Sequence, residues 1–262
     1  MGPEAIHFRV VLFVMHLKAH PFTCAKRLAL VTGFGFAAGS LAAFGGDAAA
    51  SDTATDSASS GMVHVNYDAE PIGRVPTGWT VAVTGEGTAE WRVAADATAT
   101  GSGRVLAQTG QLPKPGFALC LRDGSALRDG FVEVRFKTVS GAVDQAAGVV
   151  WRARDAANYY VCRANALENN VVLYKVENGK RTALDIVGRT GGYGVDVNVA
   201  PARWQTLRVE FAGPRFRVWL DGRALFAVEE ATFTEPGKVG LWTKADSVTW
   251  FDDFRYGPKA EP

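Results

Sequence analysis

Residues 148–175 read GVVWRARDAANYYVCRANALENNVVLYK. Three apolar runs are separated by two polar connections. Val149, Val150 and Trp151 lead into Arg152 and Arg154, and Asp155-Ala-Ala-Asn158 has the composition of a turn. Tyr159–Ala164 is a second strand, which carries Arg163. Asn165–Asn170 is polar and turn-forming, and Val171–Lys175 is a third strand. Tyr159, Arg163 and Asn165 share parity, so a strand running through them shows all three on one face. Arg offers a rigid fork of donors, and Asn both a donor and an acceptor. With an aromatic platform beside them, these groups suit a hydroxylated ligand, and Arg152 is a further candidate. The competing expectation is an ordinary β-face whose arginines pair with Asp155 or Glu168.

Outward from this stretch the pattern stays β. Phe131, Glu133, Arg135 and Lys137 fall on one face, and Val132, Val134 and Phe136 on the other, which is the period-2 signature of a half-buried strand. Leu207, Val209 and Phe211 alternate with Arg208 and Glu210, and Phe216, Val218 and Leu220 with Arg215, Arg217 and Trp219. Asn178-Gly179 and Asp221-Gly222 are hairpin signals. No stretch sustains a helical period. About a dozen or more short strands at this spacing predict an antiparallel sandwich or barrel. No fixed-period repeat is visible, which argues against a propeller.

Composition narrows the function classes. The net charge of the 262 residues is +1, leaving no electrostatic footprint for nucleic acid or an acidic membrane surface. Lys26-Arg27, the apolar run Leu28–Phe44 and Ala48-Ala49-Ala50 form a secretory signal pattern within 1–50, with an uncleaved anchor as the alternative. Residues 51–61, SDTATDSASSG, are a polar linker unable to fold alone, so the domain is expected over 62–262. An exported monomer, periplasmic or extracellular and free of the membrane after cleavage, is the expectation. Cys120 and Cys162 remain in that body; export permits a bridge, while their apolar settings equally suit buried free thiols. His64 is the body's single histidine, so a Ser-His-Asp triad or a His-rich zinc site needs other groups.

The run WQTLRVEFAGPRFRVWLDGRALF (204–226) followed by GKVGLWTKADSVTWFDDFRY (237–256) resembles the concanavalin A-like lectin/glucanase jelly roll. Within it, the chain is similar to the domain group named for 3-keto-disaccharide hydrolases, and the 148–181 region fits the same group. The resemblance implies an all-β sandwich of two curved antiparallel sheets, with a concave face that takes a carbohydrate or glycoside. It also implies a possible structural calcium, for which Asp252-Asp253 is the candidate; adjacent strand residues diverge, so both would ligate only across a bulge. No other metal or cofactor is expected. The paired carboxylates of family 16 glucanases are missing, since Phe131–Phe136 carries a single Glu. The Asn-Ser-Gly that precedes the Phe-Arg strand in closer members is here Gln145-Ala-Ala-Gly148, although Arg152 is kept.

Two functions follow as expectations. One is cleavage of a keto-glycoside by elimination, with Lys244 or Asp246 as base and Arg152 and Arg163 stabilising the developing charge. The other is a noncatalytic carbohydrate-binding module using Arg152, Tyr159, Arg163, Asn165 and Trp242, the last stacking on a sugar ring. Lys244 and Asp246 have a plainer alternative as a surface ion pair beside a turn. Gly191-Gly-Tyr-Gly194 precedes no helix, so it is a rim loop and not a phosphate cradle.

Overall fold

The computed structural model describes residues 61–258. The expected export segment and nearly all of the expected linker lie outside that span. The described residues form sixteen strands and no α-helix, so none crosses a membrane as a helix. In chain order they are β1 (Val63–Val65), β2 (Trp79–Thr84), β3 (Trp91–Ala95), β4 (Arg104–Gln108), β5 (Phe117–Arg122) and β6 (Gly130–Ser140). Next come β7 (Ala146–Asp155), β8 (Asn158–Asn165), β9 (Asn170–Glu177), β10 (Lys180–Ala183) and β11 (Val195–Asp196). The last are β12 (Gln205–Ala212), β13 (Arg215–Leu220), β14 (Arg223–Glu229), β15 (Lys238–Lys244) and β16 (Val248–Gly257).

Two eight-stranded antiparallel sheets result. Sheet I runs β14-β13-β12-β6-β16-β4-β3, with β1 paired to β16. Sheet II runs β10-β9-β8-β7-β15-β5-β2, with β11 paired to β9. The all-β jelly-roll sandwich is therefore the observed fold. Both predicted hairpins form: Lys180 pairs with Glu177 around Asn178 (φ 50) and Gly179 (φ 77), and Arg223 with Leu220 around Asp221 (φ 49) and Gly222 (φ 76). Two central residues with positive φ match the twist of the flanking strands, which is why Asn-Gly and Asp-Gly sit there.

The core lies between the sheets. Val132, Val134, Phe136, Leu207 and Val209 come from sheet I; Val149, Trp151, Tyr160, Cys162 and Leu173 come from sheet II. Sheet I shows the expected polar outer face, where Glu133 pairs with Arg208 and Arg255. Sheet II differs. Its outer face is buried as well, through Phe117, Leu119, Val150, Tyr159, Val161, Val172, Tyr174 and Trp242. Strands buried on both faces lose the polar alternation, and β7, β8 and β9 accordingly read as near-continuous apolar runs.

Cys120 and Cys162 are free and buried. The register Cys120–Leu241–Val149–Cys162 puts three strand spacings, roughly 14 Å, between them, too far for a disulfide. Burial pushes both thiols well above their ordinary pKa.

Candidate functional site

At one end of sheet II, β7 begins, β8 ends, β9 begins and β15 ends. Antiparallel pairing makes these four ends coincide: Ala146 faces Asn165, and Asn165 faces Asn170. The outward-facing polar side chains of this end form one connected cluster.

Asn165 organises the turn that follows β8. Its Oδ1 accepts the main-chain N–H of Leu167 (2.9 Å) and Glu168 (3.3 Å), a local turn motif that fixes Glu168. Its Nδ2 donates to Asp144 Oδ1 (2.6 Å) and Glu168 Oε1 (3.1 Å). Asp144 Oδ2 forms an ion pair with Lys244 Nζ. Arg163 Nη2 donates to Glu168 Oε2 (2.9 Å), Tyr174 OH (3.0 Å) and Tyr193 OH (3.1 Å). The two phenol oxygens are also in hydrogen-bond contact with each other, and Asn170 Nδ2 donates to Glu168 Oε2 (3.2 Å).

Arg163 is only 1% exposed, yet its Nε and Nη1 find no partner among the described residues. Burial opposes its charge, but Tyr174, Tyr193 and Glu168 outweigh that and hold the guanidinium protonated. Burial pulls Glu168 toward the acid form; the Arg163 charge and its hydrogen bonds win, so the carboxyl titrates below its ordinary range. Its side chain is 36% exposed. A buried cation with spare donors therefore stands beside a half-open carboxylate, and two tyrosine hydroxyls complete the surround.

The expected residues divide. Arg163, Asn165 and Lys244 come together, Lys244 through Asp144. Tyr159 and Trp242 lie on the same face but form its floor: Trp242 Nε1 donates to Tyr159 OH (3.3 Å), which also bonds Thr84 Oγ1 (2.8 Å). Both are fully buried, and burial raises the Tyr159 pKa to about 12. Trp242 packs on Phe117 at 5.0 Å between ring centroids, and the Arg181 guanidinium lies 4.3 Å from the Tyr174 ring centroid and 5.1 Å from that of Phe117. Trp242 therefore lies within the floor and offers no open stacking platform.

Arg152 does not join them. It sits six residues along β7 from Ala146, roughly 20 Å away at strand rise. The pairing of β7 slips there, and Arg152 itself has φ 47. This bulge turns the side chain from the outer face into the core, 5.7 Å and 5.5 Å from the Phe211 and Phe216 centroids. Each of its three nitrogens has a partner: Nε donates to Arg128 O, Nη1 to Phe233 O, and Nη2 to Gly213 O and Asp129 Oδ1, four of its five N–H groups. It ties three connections together, away from the Arg163 cluster.

Asp246 also points elsewhere. Its carboxylate accepts the N–H groups of Ala142 (2.7 Å), Val143 (3.0 Å) and Asp144 (2.9 Å). Burial raises its pKa, but these amides outweigh burial and lower it, which makes it a poor base. Its role is to shape the loop that presents Asp144. Lys244 and Asp246 do not pair with each other.

At Asp252-Asp253 the bulge needed for joint ligation is present: pairing slips between Asp252 and Arg255, and Asp253 has φ 50. Both carboxylates accept from Thr100 Oγ1, at 2.8 Å and 3.1 Å. Other side chains already hold Asp253, however, with Arg135 Nη1 at 3.2 Å and His64 Nε2 at 2.8 Å. Among the described residues, no group of three His, Cys, Asp or Glu side chains is set to hold a metal. The His64 contact fastens β1 to β16.

Sequence reasoning named Glu168 only as an ion-pair partner and missed Asp144, Tyr174 and Tyr193 as members of the site. The parity of Tyr174 with Val172 and Val176 was a usable signal; nothing local marks Asp144 or Tyr193, which arrive from separate loops.

The chain is thus a jelly-roll β-sandwich with one connected polar cluster at an end of sheet II. The model of the 3-keto-alpha-glucoside-1,2-lyase-like domain matches residues 73–256, and the chain belongs to that family. No curated protein matches. Among solved structures, the chain is similar to carbohydrate-binding module CBM66 from Bacillus subtilis, with 20% identity and a TM-score of 0.53, covering 68% of this chain and 95% of that one. It is also similar to the cellulose-induced protein Cip1, with 12% identity and a TM-score of 0.55, covering 76% and 99%. At these identities the likeness is one of fold alone.

Proposed function

We propose that the Arg163 cluster binds a glycoside and eliminates the C1 substituent from its 3-keto form. The observation that carries this is the buried Arg163 guanidinium, with two donors unpaired among the described residues, 2.9 Å from the Glu168 carboxylate. In a 3-keto sugar the C2 hydrogen is acidified by the adjacent carbonyl. Glu168 takes that proton, and the electron pair moves onto the C3 oxygen, where Arg163 and the phenols stabilise it. The electrons then return to form the C1=C2 double bond, and the C1 oxygen leaves and takes up a proton. A base and an oxyanion stabiliser side by side match a C–H and a carbonyl on neighbouring carbons. Lys244 supports the site through Asp144 and Asn165.

The test is turnover of methyl 3-keto-α-glucoside, followed by methanol release. Glu168→Gln is expected to lower kcat by about 100-fold or more with KM little changed, the size of a lost general base. Unaltered kcat in that variant removes Glu168 from the mechanism. A second reading, binding without cleavage, is supported by the depressed pKa of Glu168, which weakens it as a base; saturable binding without methanol release decides for it.

A further inference from the structure

The phenol hydroxyls of Tyr174 and Tyr193 meet at Arg163 and are in hydrogen-bond contact with each other. Both oxygens accept from Arg163 Nη2, at 3.0 Å and 3.1 Å, and a guanidinium has no acceptor to offer in return. No carboxylate or carbonyl among the described residues takes a hydrogen from either hydroxyl. The pair therefore carries two hydroxyl hydrogens and uses one of them between its own oxygens. Exposure decides where the other lies, since Tyr174 is 2% exposed and Tyr193 46%. A spare hydrogen on Tyr174 would be stranded in the buried floor, at the cost of an unmade buried bond. Tyr174 thus donates to Tyr193, and the Tyr193 hydrogen is left for a ligand.

Resting on the elimination at the Arg163 cluster, we propose that Tyr193 is the general acid that protonates the departing C1 oxygen. The C1–O bond breaks as that oxygen takes the Tyr193 hydrogen. The electron pair of the O–H bond stays on Tyr193 as a phenolate, which accepts from the Arg163 cation and from the Tyr174 hydroxyl. Tyr174 keeps its own proton, because burial pushes its pKa up further than the Arg163 and Arg181 charges bring it down. Glu168 gives the C2 proton up to solvent and solvent returns one to Tyr193, so the cycle has no net proton. The unpaired Nε and Nη1 of Arg163 remain for the C3 oxygen. Glu168 Oε2 and Tyr193 OH are partners of one nitrogen, 2.9 Å and 3.1 Å from it, so base and acid lie close enough to act on neighbouring carbons. The backbone fixes where Tyr193 stands: Val195 pairs with Val171, and a Cβ at Gly194 would meet Val171 O at 2.3 Å, so the chain passes there only as glycine.

The leaving group tests this role, because methoxide needs a proton in order to depart and 4-nitrophenolate does not. With methyl 3-keto-α-glucoside, Tyr193→Phe in the full chain is expected to lower kcat about 100-fold or more, the size of a lost general acid. With the 4-nitrophenyl 3-keto-α-glucoside, corrected for uncatalysed release, the loss is expected to be at least about tenfold smaller. In D2O the variant should also exchange the C2 hydrogen of the methyl substrate for deuterium faster than it releases methanol, since Glu168 and Arg163 still act. Equal losses on the two substrates, or exchange and methanol release falling together, overturn the acid role while leaving the elimination standing. An unchanged kcat on the methyl substrate does the same. Release of neither leaving group by the wild type overturns the elimination and this role together.

Discussion

Asp246 bonds three successive main-chain N–H groups and thereby decides where Asp144 stands. Asp246→Ala removes a charged acceptor from three donors; an expected cost of about 2 kcal/mol is measurable by urea denaturation. Its folded pKa is depressed, so its stabilisation is present above the unfolded value of about 4 and is lost as pH falls below it. Asp246→Asn should flatten that acid limb, and an unchanged limb would show that the carboxylate charge contributes nothing to the loop. Glu168 carries the same sign into activity. Because Arg163 and its hydrogen bonds hold the carboxyl below its ordinary range, kcat/KM should stay flat from neutral pH down to about 4. An acid limb centred near pH 6 would point to another base. At this scale the sequence was partly legible. Parity placed Tyr159, Arg163 and Asn165 on one face, but it could not tell an arginine that keeps unpaired donors from one bonded to carbonyls.

Among the elements, β7 shows why Arg152 leaves the face that strict alternation assigns it. Strict alternation sends it outward beside Val150, whereas the bulge sends it into the core. A non-glycine residue at φ 47 carries no local signal; the conformation is held by the four bonds its own side chain makes. Arg152→Met keeps much of the volume but strands the carbonyls of Arg128, Gly213 and Phe233. A loss of about 3 kcal/mol is expected in chemical denaturation, as for breaking a buried ion pair. Less than about 1 kcal/mol would mean the connections hold without it. β6, β12 and β13 were readable because sheet I keeps a polar outer face. β8 and β9 were readable as strands but not as two-sided ones, since apolar runs arise wherever both faces are covered. Gly148 shows one such constraint: a Cβ there would come within 3.2 Å of the Trp242 ring, so the floor lies flat only because β7 has no side chain at that point.

Across the whole molecule, the site is assembled from segments far apart in the chain. Asp144 comes from the connection before β7, Asn165–Asn170 from the β8–β9 turn, Tyr193 from the glycine-rich loop and Lys244 from the end of β15. Strand patterns disclosed the sandwich, but they carry no information on which strand ends meet. That is why the fold was legible and the cluster was not. The same topology separates Cys120 from Cys162, and both thiols should resist an aqueous thiol reagent until the protein is denatured. Rapid labelling of either in the native protein would contradict the packing between the sheets.

The central claim is that ligand recognition belongs to the Arg163 end of sheet II and not to Arg152. Calorimetric titration of methyl α-glucoside into the wild type, Arg163→Met and Arg152→Met tests it most directly. Saturable binding to the wild type is predicted, weakened about tenfold or more by Arg163→Met and changed less than about twofold by Arg152→Met. Equal affinity in the wild type and Arg163→Met, or a loss confined to Arg152→Met, would contradict it.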